Sequence, residues 1–262
     1  MRIARFTTGD EPRFGAVGED SDGRVMLAVL DGDPLYRGPK LTGETLPLDD
    51  VRLVAPVIPR SKVVGVGRNY AEHAWELGSE IPKEPLLFLK PNTAVIGPGE
   101  PIVLPRQSKE VHHEAELAVV IGRVCRDLPP ERVPEAVFGY TCGNDVTARD
   151  LQRTDDQWAR AKGFDTFCPL GPWIETDLDT SDLRVRCLVD DDVRQDGRTS
   201  QMVHDVPALV SYISGVFTLL PGDVILTGTP AGVGRIDAGD EVAVTVEGIG
   251  TLRNRVLPAS VR

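Results

Sequence analysis

The chain has 262 residues, a net charge of −11 and 41% hydrophobic content. That is enough for a real core and for one large domain, or one large and one small. The acidic balance disfavours nucleic acid and anionic membrane as partners, and no stretch approaches the about 18 consecutive apolar residues of a membrane span. Met1-Arg2-Ile3-Ala4-Arg5-Phe6 leads into no apolar run with a cleavage site, so no secretory signal is expected. Cys125, Cys142, Cys168 and Cys187 are widely spaced and match no zinc or redox spacing. They read as small buried hydrophobes, and a reducing cytoplasm is their simpler home. A small anionic ligand would need positive charge supplied locally, by a metal ion or by placed Lys and Arg residues.

Residues 1–56 are strand-and-turn material. Arg2–Thr7, 13–17 and 24–29 are candidate strands, separated by turns such as Asp20-Ser21-Asp22-Gly23 and Asp31-Gly32-Asp33-Pro34. We read a small β-rich N-terminal domain over 1–56, a proline-stiffened linker over 55–60, and a large domain over 60–262. Residues 62–67 form a strand ending in glycines, but no third glycine completes a dinucleotide loop. Asn69 is placed to cap a short helix that Gly78 ends. Residues 86–89 read as a buried strand, and 130–137 as a short helix opened by Pro130. Residues 137–142 read as a strand running into Gly143-Asn144-Asp145, followed by partly helical 149–162. Asp196-Gly197 signals a turn inside a hairpin that starts near Leu183. Leu209, Val210, Ile213, Val216, Phe217 and Leu220 recur at helical spacing over 206–220. Residues 224–226 are a strand opening into a Thr-Gly loop, and 241–246 with 250–256 close the chain as a hairpin. Strands dominate and helices sit at the edge, which argues for a β-rich α+β fold with a barrel-like body.

The stretch 111–121 organises the chemistry. Val111-His112-His113-Glu114-Ala115-Glu116 runs into Leu117-Ala118-Val119-Val120-Ile121, an apolar strand. Side chains two apart share a strand face, so Glu114 and Glu116 project together and would repel each other without a cation. Asp145, at the end of another apolar strand, is the best third ligand. Three carboxylates with no cysteine ligand select a hard ion, Mg²⁺ or Mn²⁺, with Ca²⁺ the weaker fit. His112 shares the face of Glu114 and His113 points away; either is a candidate to orient a carboxylate or a satisfied core histidine. His73 and Glu76, three apart on a short helix, form a natural acid/base pair on an element that can act as a lid.

Several segments together resemble one family. They are Gly67-Arg68-Asn69-Tyr70-Ala71-Glu72-His73, Phe88-Leu89-Lys90-Pro91, 113–122, Asn144-Asp145-Val146-Thr147-Ala148-Arg149-Asp150-Leu151-Gln152, Ala161-Lys162-Gly163-Phe164 and 220–230. In order, over roughly 60–255, they resemble the fumarylacetoacetate hydrolase family. The resemblance implies a mixed β-sandwich roll around a divalent metal, in a homodimer. Position by position, Glu114, Glu116 and Asp145 match that family's metal ligands. His73 and Glu76 match the lid pair of its acylpyruvase and oxaloacetate decarboxylase branch. Lys162, Gln152 and Thr229 match positions that contact substrate, with Lys162 also a candidate in the proton chemistry. Arg68 and Lys90 lie in matched motifs and are expected at the substrate.

The sequence departs from the name-giving hydrolases, which carry a longer N-terminal domain and a further acidic ligand ahead of the lid; residues 62–68 contain no acid. The resemblance therefore implies cleavage of a C–C bond in a short 2-keto acid, by acylpyruvate hydrolysis or oxaloacetate decarboxylation. The alternative it implies is isomerisation of a hydroxyhepta-diene-dioate. A binding relative without turnover is disfavoured by the intact His73, Glu76 and Lys162.

Overall fold

The computed structural model describes residues 1–259. Its main sheet has a path of ten strands. Their order is Leu41–Pro47, Val25–Leu30, Arg13–Glu19, Arg2–Thr7, Cys168–Glu175, Val137–Asn144, Ala115–Ile121, Val224–Leu226, Val63–Gly67 and Leu86–Lys90. Pairing along this path is antiparallel except between Val224–Leu226 and Val63–Gly67. The N-terminal strands join the rest where Arg2 pairs with Glu175 and Ile3 with Ile174. They also enclose a small core of their own around Ala4, Phe6, Leu27 and Val29. A second sheet stacks Asp192–Arg198, Arg184–Val189, Glu241–Val246, Gly250–Leu257 and Ile102–Val103.

Ala115–Ile121 is buried along its whole length. Leu117, Val119 and Ile121 enter the main core, while Ala118 and Val120 enter a second cluster with Leu170, Val224 and Leu226. A strand covered on both faces needs an apolar run rather than alternation, which is the pattern its sequence carries. Its seven residues match the expected run, but the strand face expected to carry both His112 and Glu114 is interrupted. It breaks at Glu114, leaving Val111–His113 as a separate strand in a small three-stranded sheet.

Other expectations also shift. Leu86–Lys90 is an edge strand, paired on one side only, and Leu89 is 44% exposed. Helix Val206–Val216 stops before Phe217, because Leu219 pairs in extended conformation with Cys125. The hairpin beginning at Arg184 turns at Asp190-Asp191, not at Asp196-Gly197. Gly197 lies within a strand, where a Cβ would come 2.5 Å from Pro230 Cβ. Asn69 does not cap the helix Ala71–Glu76, whose N-cap position is Tyr70. Its buried amide instead donates to Thr227 O and His204 O, and its Oδ1 accepts from His204 N. Leu41–Pro47 and Arg52–Val54 are strands without a strong sequence signal.

Candidate metal and active site

The break at Glu114 is the structural origin of the site. Ala115 and Glu116 pair with Asn144 and Gly143 across two antiparallel strands. Beyond the last pair the chains hold each other differently. Glu114 N–H donates to Asn144 Oδ1, and Asp145 N–H donates to Glu114 O. This places Glu114, Glu116 and Asp145 so that one carboxylate oxygen of each lies within 4.8 Å of the others. All three are buried.

Three cations approach from the sides. Lys162 Nζ, on the helix Ala159–Gly163, donates to Glu114 Oε2 at 2.7 Å and Asp145 Oδ2 at 2.6 Å. Lys90, at the end of its edge strand, donates to Asp145 Oδ1. Arg149 donates to Glu114 Oε1 and to Gln152 Oε1, one helical turn along. Burial raises the pKa of the Glu114 carboxyl, but Lys162 and then Arg149 outweigh it and leave that group below the usual carboxylate range. Burial lowers the pKa of Lys162, but Asp145 and Glu114 overcome this and hold it charged.

Glu116 is held differently. Its carboxylate accepts from Gly228 N–H at 2.7 Å. Burial first, then the charges of Asp145 and Glu114, push its pKa well above the ordinary value. A buried acid facing two like charges is the setting that a divalent cation relieves. The donors are all oxygens, as Mg²⁺ and Mn²⁺ prefer, so the residues present fit such an ion.

A cavity of about 450 Å³ opens over Glu114. Arg68, His73, Glu76, Arg149, Gln152 and Trp158 line it. His73 Nδ1 faces Glu76 Oε2 at 3.4 Å, and Gly232 N–H donates to both Glu76 oxygens. Burial lowers the pKa of His73, so the ring is a neutral base over more of the pH range than a free imidazole. Arg68 sits with φ 58° at the end of Val63–Gly67, its guanidinium 5.9 Å from the centre of the Trp158 ring.

Of the residues singled out from the sequence, Arg68, His73, Glu76, Glu114 and Gln152 border the cavity. Lys162, Glu116 and Asp145 lie beneath it, joined through Glu114. Lys90 reaches only the Asp145 side. Thr229 is not on the wall: its hydroxyl donates to Ala115 O and accepts from Gln195 Nε2. Of the histidines beside Glu114, His113 contacts Gln195 and His112 contacts Glu110. Three contributors escaped the sequence reading. Arg149 stood inside the matched segment 144–152 without a role of its own. Trp158 stood only within the 158–163 segment, which resembles the decarboxylase and isomerase members of that family, and Gln195 carried no local signal.

The model of the fumarylacetoacetate (FAA) hydrolase C-terminal family matches residues 62–257, and that of the Rv2993c-like N-terminal family matches residues 1–56. The chain belongs to the fumarylacetoacetate hydrolase family. It is 53% identical to protein Rv2993c of Mycobacterium tuberculosis, over 98% of each chain. It is 41% identical to oxaloacetate tautomerase fahd2 of Xenopus laevis, over 98% of this chain and 90% of that one. Among solved structures, 5-carboxymethyl-2-hydroxymuconate delta-isomerase from Mycobacterium smegmatis superposes with a TM-score of 0.91 at 53% identity, covering 98% of this chain and 100% of that one. Maleylpyruvate hydrolase from Sphingobium sp. SYK-6, in complex with manganese(II) ion and pyruvate, superposes with a TM-score of 0.80 at 33% identity, covering 99% and 100%. The β-rich α+β architecture is the one expected, and enzymes of this family include hydrolases, decarboxylases and isomerases. Among the described residues no helix is long and apolar enough to cross a membrane.

Proposed function

We propose that this protein is a Mg²⁺- or Mn²⁺-dependent enzyme that cleaves a C–C bond in a short, dianionic 2-keto acid. The observation that carries the reading is that Glu114, one member of the carboxylate triad, lines the same cavity as the His73–Glu76 pair. Charge supports the substrate class. Two acids of the triad, Glu114 and Asp145, are in direct contact with Lys90, Lys162 and Arg149, so three cations stand beside the three carboxylates. A bound divalent ion then makes the centre net positive in a chain of charge −11, and this favours a dianion.

Glu114, Glu116 and Asp145 would hold the divalent ion, which would supply Lewis acidity to a keto oxygen. The chain's own groups do the rest. Glu76, anchored on Gly232 N–H, accepts from His73 Nδ1 and leaves Nε2 free to take a proton. In acylpyruvate hydrolysis that proton comes from water attacking the distal carbonyl. In oxaloacetate decarboxylation no water attack is required, and His73 matters less. Arg68 and Gln152 hold the far carboxylate, and Arg149 keeps Glu114 and Gln152 in place.

A second reading, proton transfer without cleavage, draws on the names of two relatives, a tautomerase matched over 90% of its length and a delta-isomerase matched over 100% of its chain. Here His73 would move the proton at the carbon next to the keto group. We also propose a reducing compartment, from the four free cysteines, and a homodimer, from the sequence resemblance. The experiment is a substrate panel with Mg²⁺, Mn²⁺ or chelator: oxaloacetate, acetylpyruvate, fumarylpyruvate and the hydroxyhepta-diene-dioate. Metal-dependent release of pyruvate supports cleavage. Metal-dependent change in the dienol absorbance without pyruvate supports the second reading. Turnover that survives complete chelation rejects both.

A further inference from the structure

The triad and the His73–Glu76 pair sit on different elements, and one segment touches both. Gly228 N–H donates to Glu116 Oε2 at 2.7 Å, and Gly232 N–H donates to Glu76 at 3.1 and 3.2 Å. Between these two contacts the segment is held by Gln195, which is fully buried in the strand Asp192–Arg198. Gln195 Nε2 donates to Thr229 Oγ1 at 2.7 Å and Pro230 O at 2.8 Å. Its Oε1 accepts from Ala115 N–H at 3.0 Å and faces His113 Nδ1 at 2.9 Å. Thr229 Oγ1 in turn donates to Ala115 O at 2.8 Å.

Ala115 is the residue between Glu114 and Glu116. Gln195 and Thr229 therefore engage both of its backbone polar groups, from a different sheet and a different loop. The far end of the segment is fixed by shape. Gly232 has φ +96°, and a Cβ there would lie 2.1 Å from Arg194 O, beside Gln195. A buried amide that uses both ends on four partners is specific in direction as well as position, and losing it leaves buried donors unpaired.

We propose that Gln195, Thr229 and Gly232 form a positioning clamp. Gln195 and Thr229 hold the backbone that carries the metal carboxylates, and Gly232 holds Glu76, so the proton-transfer pair is registered against the triad. The part of this proposal that concerns turnover rests on the function proposed above; the part that concerns metal binding does not. The clamp gives Thr229 a positioning role, its hydroxyl donating to Ala115 O and accepting from Gln195 Nε2.

The test uses the full-length, metal-free protein titrated with Mn²⁺, free ion being read by electron paramagnetic resonance. Gln195→Leu and Thr229→Val weaken Mn²⁺ binding by about 10-fold or more, while Thr229→Ser keeps the tight binding. Thr229→Val is the second variant because Gln195→Leu strands several buried groups and threatens folding; circular dichroism establishes which variants are folded. Gly232→Ala, whose Cβ must displace the Arg194 backbone and with it the Gly232 N–H, lowers kcat by about 100-fold with little change in KM. It adds nothing in a Glu76→Gln background, since the two act as one unit. Folded Gln195→Leu and Thr229→Val proteins that bind Mn²⁺ like the wild type overturn the clamp. So does a Gly232→Ala effect that adds fully to Glu76→Gln. If the wild type turns over no 2-keto acid, the proposed function fails, and the Mn²⁺ titrations still decide the clamp.

Discussion

Two buried acids show opposite uses of the same costly group. Asp223 is fully buried, and its carboxylate accepts from Lys62 Nζ, Lys62 N–H and Leu220 N–H. Those bonds tie the start of Val63–Gly67 to the turn before Val224–Leu226, and nothing about them needs a ligand. Glu116 is 2% exposed, on the neighbouring strand of the same sheet. It has a backbone N–H on one oxygen and two other acids beside it. Burial alone therefore does not distinguish a structural acid from a candidate metal ligand. The local balance of donors and like charges does, because a closed account of hydrogen bonds stabilises the fold and an open one awaits a cation.

Substitution separates the two. Glu116→Ala removes a member of the triad and is expected to lower turnover by at least about 10³-fold while leaving the melting temperature near or above that of the wild type, since a repulsive buried group is gone. Steady-state rates and thermal unfolding of the same sample check both halves. Asp223→Asn behaves in the reverse manner. It leaves Lys62 and two backbone groups poorly answered and costs about 3 kcal/mol of stability by urea denaturation. The metal-dependent rate of the folded fraction is retained. His73→Ala sharpens the contrast within the cavity. It lowers acylpyruvate hydrolysis by about 100-fold, and oxaloacetate decarboxylation much less. Because burial lowers the pKa of His73, the acid limb of the wild-type kcat/KM profile falls below the ordinary imidazole value. Activity rises as pH passes upward through that lowered pKa, and the limb disappears in His73→Ala. Equal losses in both reactions would mean that His73 does not activate water.

The asymmetry between the two acids was partly legible in the chain. Glu114 and Glu116 stand at the head of an apolar run too hydrophobic for a solvated face, and that pattern points to an unusual environment. Asp145 was legible because it follows a second apolar strand, and the register Glu116 to Gly143 brings the two strand ends together. The cations were harder to read. Arg149 and Lys162 reach Glu114 across 35 and 48 residues of chain, and Lys90 reaches Asp145 across 55. Contacts at such separations are set by packing, not by local pattern. The misplaced elements have the same cause. Asn69 is a good cap by type, but its amide satisfies the 204 and 227 backbones instead. Asp196-Gly197 is good turn chemistry, but the glycine is there so that Pro230 can approach. The helical spacing through Leu220 outruns the helix because the chain turns extended after Val216 and Leu219 pairs with Cys125.

The most direct test of the central claim is a Mn²⁺ titration of three metal-free proteins, the wild type, Glu116→Ala and Asp223→Asn, followed by electron paramagnetic resonance. The open carboxylate account predicts one saturable site in the wild type, the same site in folded Asp223→Asn, and none in Glu116→Ala. Glu116→Ala binding Mn²⁺ as tightly as the wild type would contradict it.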